Sequence, residues 1–114
     1  MPHFVVDCSE SVLSTHDEAA ICERVHRAAF STGLFSEANI QVRVVPFKYN
    51  LVGNESKEFM QIFASILAGR TDEQKAALSK TVVKQLVDMF PNVTTIGMDI
   101  LDLEKGTGFN RGML

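Results

Sequence analysis

The chain has 114 residues, of which 46% are hydrophobic and 22% are charged, and its formal net charge at pH 7 is −3. This length favours a single domain, residues 1–114, built around one hydrophobic core. The charge excludes the basic footprint of a nucleic-acid-binding protein and the polybasic patch of a membrane-surface protein. No apolar run reaches the roughly 20 residues of a membrane span and no signal-peptide pattern is present, so we expect a cytoplasmic protein.

The first predicted element is a strand that starts beside Pro2. Apolar residues recur at every second position from Phe4 to Cys8, as in a strand with one buried face. Removal of Met1 would leave Pro2 with a secondary amine on a rigid ring, and such a nitrogen can act as a general base. The other interpretation is that Pro2 only begins an edge strand, where its missing N–H costs nothing. This stretch alone does not separate the two interpretations.

A helix and a second strand follow. Thr15 and Glu18 fit a capping box, and Gly33 suits the left-handed position after a helix end, so we expect a helix between them. From Ile40 the apolar residues recur with period two, which predicts a strand, and Pro46 limits its central pairing. The order strand, helix, strand predicts a βαβ unit with parallel strands and a right-handed crossover.

The second half of the chain has the same order. We expect a third strand over residues 57–68, a second capping box that starts at Thr71, and a helix that stops at Pro91. Residues 95–103 predict a fourth strand, and residues 104–114 an irregular tail.

The two halves match in spacing as well as in order, because Pro2 is as far from Glu58 as Thr15 is from Thr71. We therefore predict an α+β fold in which a duplicated β-α-β forms a four-stranded mixed sheet with two helices on one face. The other face would carry Val5, Val45 and Phe59 among polar side chains, and a half-apolar face of this kind favours association between copies.

The two cysteines give no sign of a metal site. Cys8 and Cys22 both lie on predicted apolar faces, and neither has a His or Cys neighbour in metal-ligand spacing. We expect two free thiols, with no disulfide and no bound metal.

Several short segments occur in an order that is informative. They are Met1-Pro2-His3-Phe4, Asp7-Cys8-Ser9, Thr32-Gly33-Leu34-Phe35, Arg43-Val44 and Gly69-Arg70-Thr71. Together with the repeated βαβ pattern, they resemble the tautomerase superfamily, and within it most closely the 5-carboxymethyl-2-hydroxymuconate isomerase family. Each segment alone is weak, but the resemblance covers nearly the whole chain and weakens only after Pro91.

The resemblance implies a homotrimeric isomerase of aromatic compound catabolism that acts on a small carboxylate and uses no metal or organic cofactor. In that family the N-terminal proline takes a proton from one position of an unsaturated 2-hydroxy or 2-oxo dicarboxylate and returns it at another, a role that Pro2 would have here. Arginines hold the carboxylates, and Arg70 matches one of them. Four aromatic residues either line an apolar pocket or belong to the core: Phe4, Phe35, Phe47 and Phe109.

Arg70 also has a physical case of its own. It adjoins the predicted N-terminus of the second helix, where free N–H groups favour an anion, and its planar fork suits a carboxylate. The alternative is a surface ion pair with Asp72 or Glu73, worth well under about 1 kcal/mol.

Gln41 is the one departure from the isomerase pattern, which has an arginine there. Arg43 lies two residues further along the strand and so points to the same face. It either replaces the missing charge or forms a separate ion pair at an interface, and both Gln41 and Arg43 remain candidate substrate-binding residues.

A second hypothesis belongs to another functional class. The chain would then be a non-catalytic oligomeric module, either a tautomerase relative without activity or a ferredoxin-like regulatory domain. Gln41 favours the first of these variants. The discriminating observation is whether Met1 is removed, because only then does Pro2 have a basic nitrogen.

Overall fold

The computed structural model describes residues 1–114 and contains four strands and two α-helices. In chain order these are β1 (His3–Ser9), α1 (Glu18–Ser31), β2 (Gln41–Phe47), β3 (Phe59–Leu67), α2 (Asp72–Met89) and β4 (Thr95–Leu103). Short 3₁₀ turns cover Glu10–Ser14, Glu37–Asn39 and Arg111–Met113. The predicted order of elements is confirmed, and the bounds of β4 are those expected from the sequence.

The four strands form one mixed sheet in the order β2-β1-β3-β4. β1 pairs with β2, and β3 with β4, in parallel, while β1 and β3 pair antiparallel at the centre. The predicted duplicated β-α-β fold is therefore confirmed. Because β1 and β3 run in opposite directions, β1 and β2 begin at the end of the sheet where β3 and β4 terminate. We call this end of the sheet the Pro2 end, and the opposite end, where β3 begins, the Glu58 end.

Both helices pack on the same face of the sheet and form the core with it. The side chains of Phe4, Val6 and Cys8 on β1 are completely buried, as are those on every second position of β3 from Met60 to Ile66. The helices contribute fully buried aliphatic side chains at helical spacing, namely Ile21, Val25, Leu78, Val82 and Leu86. Full burial of such a side chain contributes about 1.5–3 kcal/mol of stability relative to its exposure, so this layer stabilises the packing of the helices on the sheet.

The two helices begin differently, which corrects one prediction. The capping box of α2 is confirmed, because the Thr71 hydroxyl accepts from the backbone N–H of Gln74 and the Gln74 side chain accepts from that of Thr71. Thr15, in contrast, does not cap α1. It ends the 3₁₀ turn before the helix, where its hydroxyl donates to the Val12 carbonyl, so its backbone is not extended as an N-cap requires. Asp17 is the N-cap of α1.

The face of the sheet that the helices leave uncovered, which we call the open face, is half apolar. It carries the predicted residues Val5, Val45 and Phe59, together with Asp7, Arg43 and Gln61. Several large apolar side chains are well exposed on it, at 38% for Val45, 41% for Phe47, 37% for Phe63 and 51% for Leu101. A single chain thus leaves exposed, on one side of the sheet, apolar surface that is normally buried.

Two cavities lie outside the Pro2 end. One of about 150 Å³ lies at the Glu58 end, between the turn after β1 and the turn after α2, and its lining includes Ser11, Glu58, Phe90 and Asn92. The other, of about 300 Å³, lies between the two helices. Both cysteines are free thiols, with Cys8 buried and Cys22 half-buried. Neither helix combines the length and apolarity that a bilayer crossing requires.

Candidate active site

Pro2 lies directly before β1, at the Pro2 end of the sheet, and its ring is completely buried. Its carbonyl accepts a hydrogen bond of 3.1 Å from the backbone N–H of Gln41, so β2 holds the start of β1 in place. Burial therefore fixes the Pro2 ring, and the hydrogen bond from Gln41 fixes its carbonyl group. A group that must direct a nitrogen at a substrate benefits from such a rigid setting.

Arg70 reaches the same end of the sheet from the loop between β3 and α2. Its Nη2 donates a 2.7 Å hydrogen bond to the Leu34 carbonyl, and its Cζ lies 5.4 Å from the centroid of the Phe35 ring. Phe35 in turn meets Phe4 edge to face, with 6.1 Å between the centroids. The guanidinium is thus positioned by the loop after α1, and most of its five N–H donors remain free for an anion.

Gln41 and Arg43 point to the open face. The register places Gln41 opposite His3 and Arg43 opposite Val5, and both of those β1 residues lie away from the helices. The Arg43 Nη2 lies 3.2 Å from the His3 Nδ1. The structure therefore brings Pro2 and Arg70 to one end of the sheet, while it places the Arg43 side chain on the open face beside His3.

The contact with Arg43 also affects the charge of His3. Burial lowers the pKa of this imidazole, and the adjacent Arg43 guanidinium lowers it further, because both disfavour the protonated ring. A neutral ring accepts the guanidinium N–H at Nδ1. Sequence analysis missed this pair, because the contact depends on the register that sets His3 opposite Gln41 and Val5 opposite Arg43.

The structure contains no grouping that would hold a metal ion or support thiol chemistry. No three His, Cys, Asp or Glu side chains converge in a way that could bind a metal. Cys8 is completely buried, and its burial, with smaller effects from Asp7 and Glu18, raises the pKa of the thiol to about 11. The thiolate that would act as nucleophile or ligand is therefore scarce at neutral pH.

A family model described as 5-carboxymethyl-2-hydroxymuconate isomerase matches residues 2–104, which include the whole sheet, both helices, Pro2 and Arg70. The chain belongs to this family. Family membership supports isomerase or tautomerase activity in general terms. No curated protein sequence matches the chain significantly.

Solved structures confirm the tautomerase fold. A 5-carboxymethyl-2-hydroxymuconate isomerase from Deinococcus radiodurans R1 superposes with a TM-score of 0.82 at 15% identity, covering 96% of this chain and 88% of that one. Pt0534, inactivated by 2-oxo-3-pentynoate, gives a TM-score of 0.78 at 17% identity, with 96% and 92% covered. A fused 4-OT symmetric trimer, W0, gives 0.76 at 18% identity, with 96% and 94% covered.

The contacts of Arg70 show what sequence reasoning missed at the site. Leu34 was only part of a family segment and Phe35 only a candidate pocket or core residue, yet they are the groups that hold Arg70. The useful signal was the position of this segment directly after a helix, because the loop after α1 must return to the start of β2 at the Pro2 end.

We expect the His3 imidazole to titrate below the ordinary value of 6.5, and Arg43→Gln to move its midpoint upward. Part of the shift should remain, since burial is the larger cause. As the pH falls below 6.5, the unfolded chain takes up the proton first, so stability should decrease until the folded state is protonated too. An NMR titration of the His3 ring measures both effects. Arg27→Gln, on the exposed side of α1, is the charge-matched control. An unchanged His3 midpoint in Arg43→Gln would contradict the coupling.

Proposed function

We propose that this protein is a tautomerase that moves a proton within an unsaturated dicarboxylate of the 2-hydroxymuconate type, with Pro2 as general base and general acid. The observation that carries the proposal is the placement of a completely buried Pro2 and an anchored Arg70 at one end of the sheet. Membership of the 5-carboxymethyl-2-hydroxymuconate isomerase family supports the substrate class.

The proton chemistry follows from the nature of the proline nitrogen. Once Met1 is removed, Pro2 has a secondary amine whose lone pair can accept a proton, which an amide nitrogen cannot do. Burial disfavours the protonated amine, and a guanidinium at the same end of the sheet adds to this effect. Both lower the pKa of the amine, so the unprotonated base is available near neutral pH. The amine takes a proton from one position of the conjugated acid, and the resulting ammonium returns a proton at another. The nitrogen ends as it began, and no cofactor is consumed.

Arg70 supplies the electrostatic part of the mechanism. Its guanidinium is held by the Leu34 carbonyl and the Phe35 ring, so little conformational freedom is lost when it binds a carboxylate or the oxygen at position 2. Negative charge increases on the oxygen when the conjugated acid loses a proton. A fixed cation next to that oxygen therefore stabilises the transition state more than the ground state.

The proposed assembly is a homotrimer in which open faces pack around a common axis. The support is the exposed apolar surface of the open face and the existence of a trimeric assembly among the structural neighbours. In this proposal a neighbouring copy packs on the open face beside the Pro2 end and completes the enclosure of the site.

The alternative, a non-catalytic oligomeric module, has one observation in its favour. The Gln41 side chain is exposed on the open face without a charge, where the isomerase pattern has an arginine. In this alternative Pro2 retains Met1 and serves only to begin β1. The Pro2 experiment below distinguishes the two functions.

We expect light scattering of the purified protein at micromolar concentration to give the mass of three chains, because apolar surface of this extent favours burial. Val45→Glu, which places a charge on the open face, should shift the assembly toward monomers. Val87→Glu on α2 is the control, since Val87 is equally apolar and exposed but lies on the helix layer. A monomeric wild-type mass would contradict the proposed assembly.

Arg70→Ala should lower kcat/KM for 2-hydroxymuconate by roughly 10- to 150-fold, the loss expected when a charged hydrogen bond worth about 1.5–3 kcal/mol is removed. Loss of the part-buried Leu34 contact should cost about 1.5 kcal/mol of stability, the lower end for a charged hydrogen bond. Ultraviolet assays and thermal melts measure the two quantities, with Arg27→Ala as control. Unchanged activity together with a lower Tm would assign Arg70 a purely structural role.

Pro2→Ala should reduce turnover by about 10²–10⁴-fold, the usual contribution of a well-placed acid–base group. A primary amine would remain near the same position, but without the ring that fixes its direction. The assay is again the ultraviolet change of 2-hydroxymuconate, read together with the intact mass of each preparation.

The matched control for Pro2 is a short extension before it that resists processing. This variant keeps the proline ring and removes only the basic nitrogen, so it should lose turnover while the fold and the assembly persist. A fully active preparation in which every chain retains Met1 would refute the proposed mechanism.

A further inference from the structure

Lys105 lies at the Pro2 end, beside the loop that carries Arg70. It follows β4, which runs parallel to β3, so both strands terminate at the same end of the sheet. The backbone N–H of Ala68 donates to the Leu103 carbonyl at 2.9 Å, which extends the pairing beyond the end of β3. The tail therefore begins next to Gly69 and Arg70.

Gly69 leaves the space that the Lys105 side chain enters. The φ of Gly69 is +124°, in the region that favours glycine. A Cβ built on Gly69 would lie 3.1 Å from the Lys105 Nζ and 3.6 Å from its Cε. The ammonium group thus lies over the backbone one residue before Arg70, although Lys105 as a whole is exposed. A side chain at position 69 would displace it.

Neither Arg70 nor Lys105 has a carboxylate partner in the chain. The ion pairs involve other basic residues, and the one nearby in sequence joins Lys75 to Asp72 and Asp102. The N-terminus of α2 adds partial positive charge at this end of the sheet. A ligand with two negative charges that contacts both Arg70 and Lys105 would offset this accumulation of positive charge.

We infer that Lys105 binds the second carboxylate of the substrate while Arg70 binds the first. This inference rests on the proposed function and extends it, because it provides a cation that Gln41 cannot supply. The anchored, planar guanidinium of Arg70 fixes one carboxylate, whereas the ammonium group on its flexible stem can follow a carboxylate at the far end of the molecule. The site then selects acids with two carboxylates over acids with one.

The test compares two six-carbon dienes of the same geometry that differ by one carboxylate, namely trans,trans-muconate with two and sorbate with one. Isothermal calorimetry with the assembled protein measures both affinities without any turnover. We expect wild type to bind muconate more tightly than sorbate. Lys105→Gln should weaken the affinity for muconate by about 10-fold, the lower end of what a charged hydrogen bond contributes. Its affinity for sorbate should stay within about 2-fold of wild type. Lys105→Arg should retain the preference for muconate.

Lys84→Gln is the control, because it removes the same charge from an exposed lysine in the second half of α2 that forms no ion pair. The inference is wrong if wild type does not bind muconate, if Lys105→Gln binds it as wild type does, or if Lys105→Gln weakens both acids equally. Failure of the proposed function would instead appear as absent turnover of 2-hydroxymuconate in processed wild type, whatever the calorimetry shows.

Discussion

β1 and β3 run antiparallel at the centre of the sheet, with Phe4 opposite Ala64 and Cys8 opposite Met60. This pairing brings the start of one strand to the end of the other, so a residue near the N-terminus meets a loop from the middle of the chain. The parallel partners follow the same constraint. β2 begins where β1 begins, and the tail after β4 starts where β3 ends. Each candidate group at the Pro2 end owes its position to the direction of these strands.

The two faces of the sheet follow different rules for burial. On the helix face of β1 and β3, apolar side chains at every second position are completely covered, and a polar group there would need a partner. On the open face, charged and apolar side chains alternate, and burial is only partial. This environment is already enough to raise the pKa of Asp7 and to lower that of His3. In a single chain the open face is therefore less solvated than an ordinary surface and less buried than an interface.

Much of the fold was predictable because it depends on local signals. Period-two patterns gave the strands, and the Thr71 capping box gave the start of α2. The Thr15 prediction was wrong because Thr15 lies two residues before the observed N-cap, Asp17, and the sequence motif does not show that a 3₁₀ turn precedes the helix. The candidate site was predictable only in part. Pro2 and Arg70 follow from their places in the chain, whereas the carbonyl that holds Arg70 depends on a loop far away in sequence.

The duplication has a consequence for stoichiometry. Each sheet has two ends that are equivalent in architecture, and Glu58 occupies at one end the place that Pro2 occupies at the other. Glu58 is followed and preceded by more chain, so its nitrogen is always an amide, and its carboxylate accepts a hydrogen bond from Ser11 beside a cavity of only about 150 Å³. A carboxylate there repels an acidic ligand. In a fused pair of βαβ units only the first can begin with a chain N-terminus, so the proposed proline mechanism allows one such amine for every two repeats.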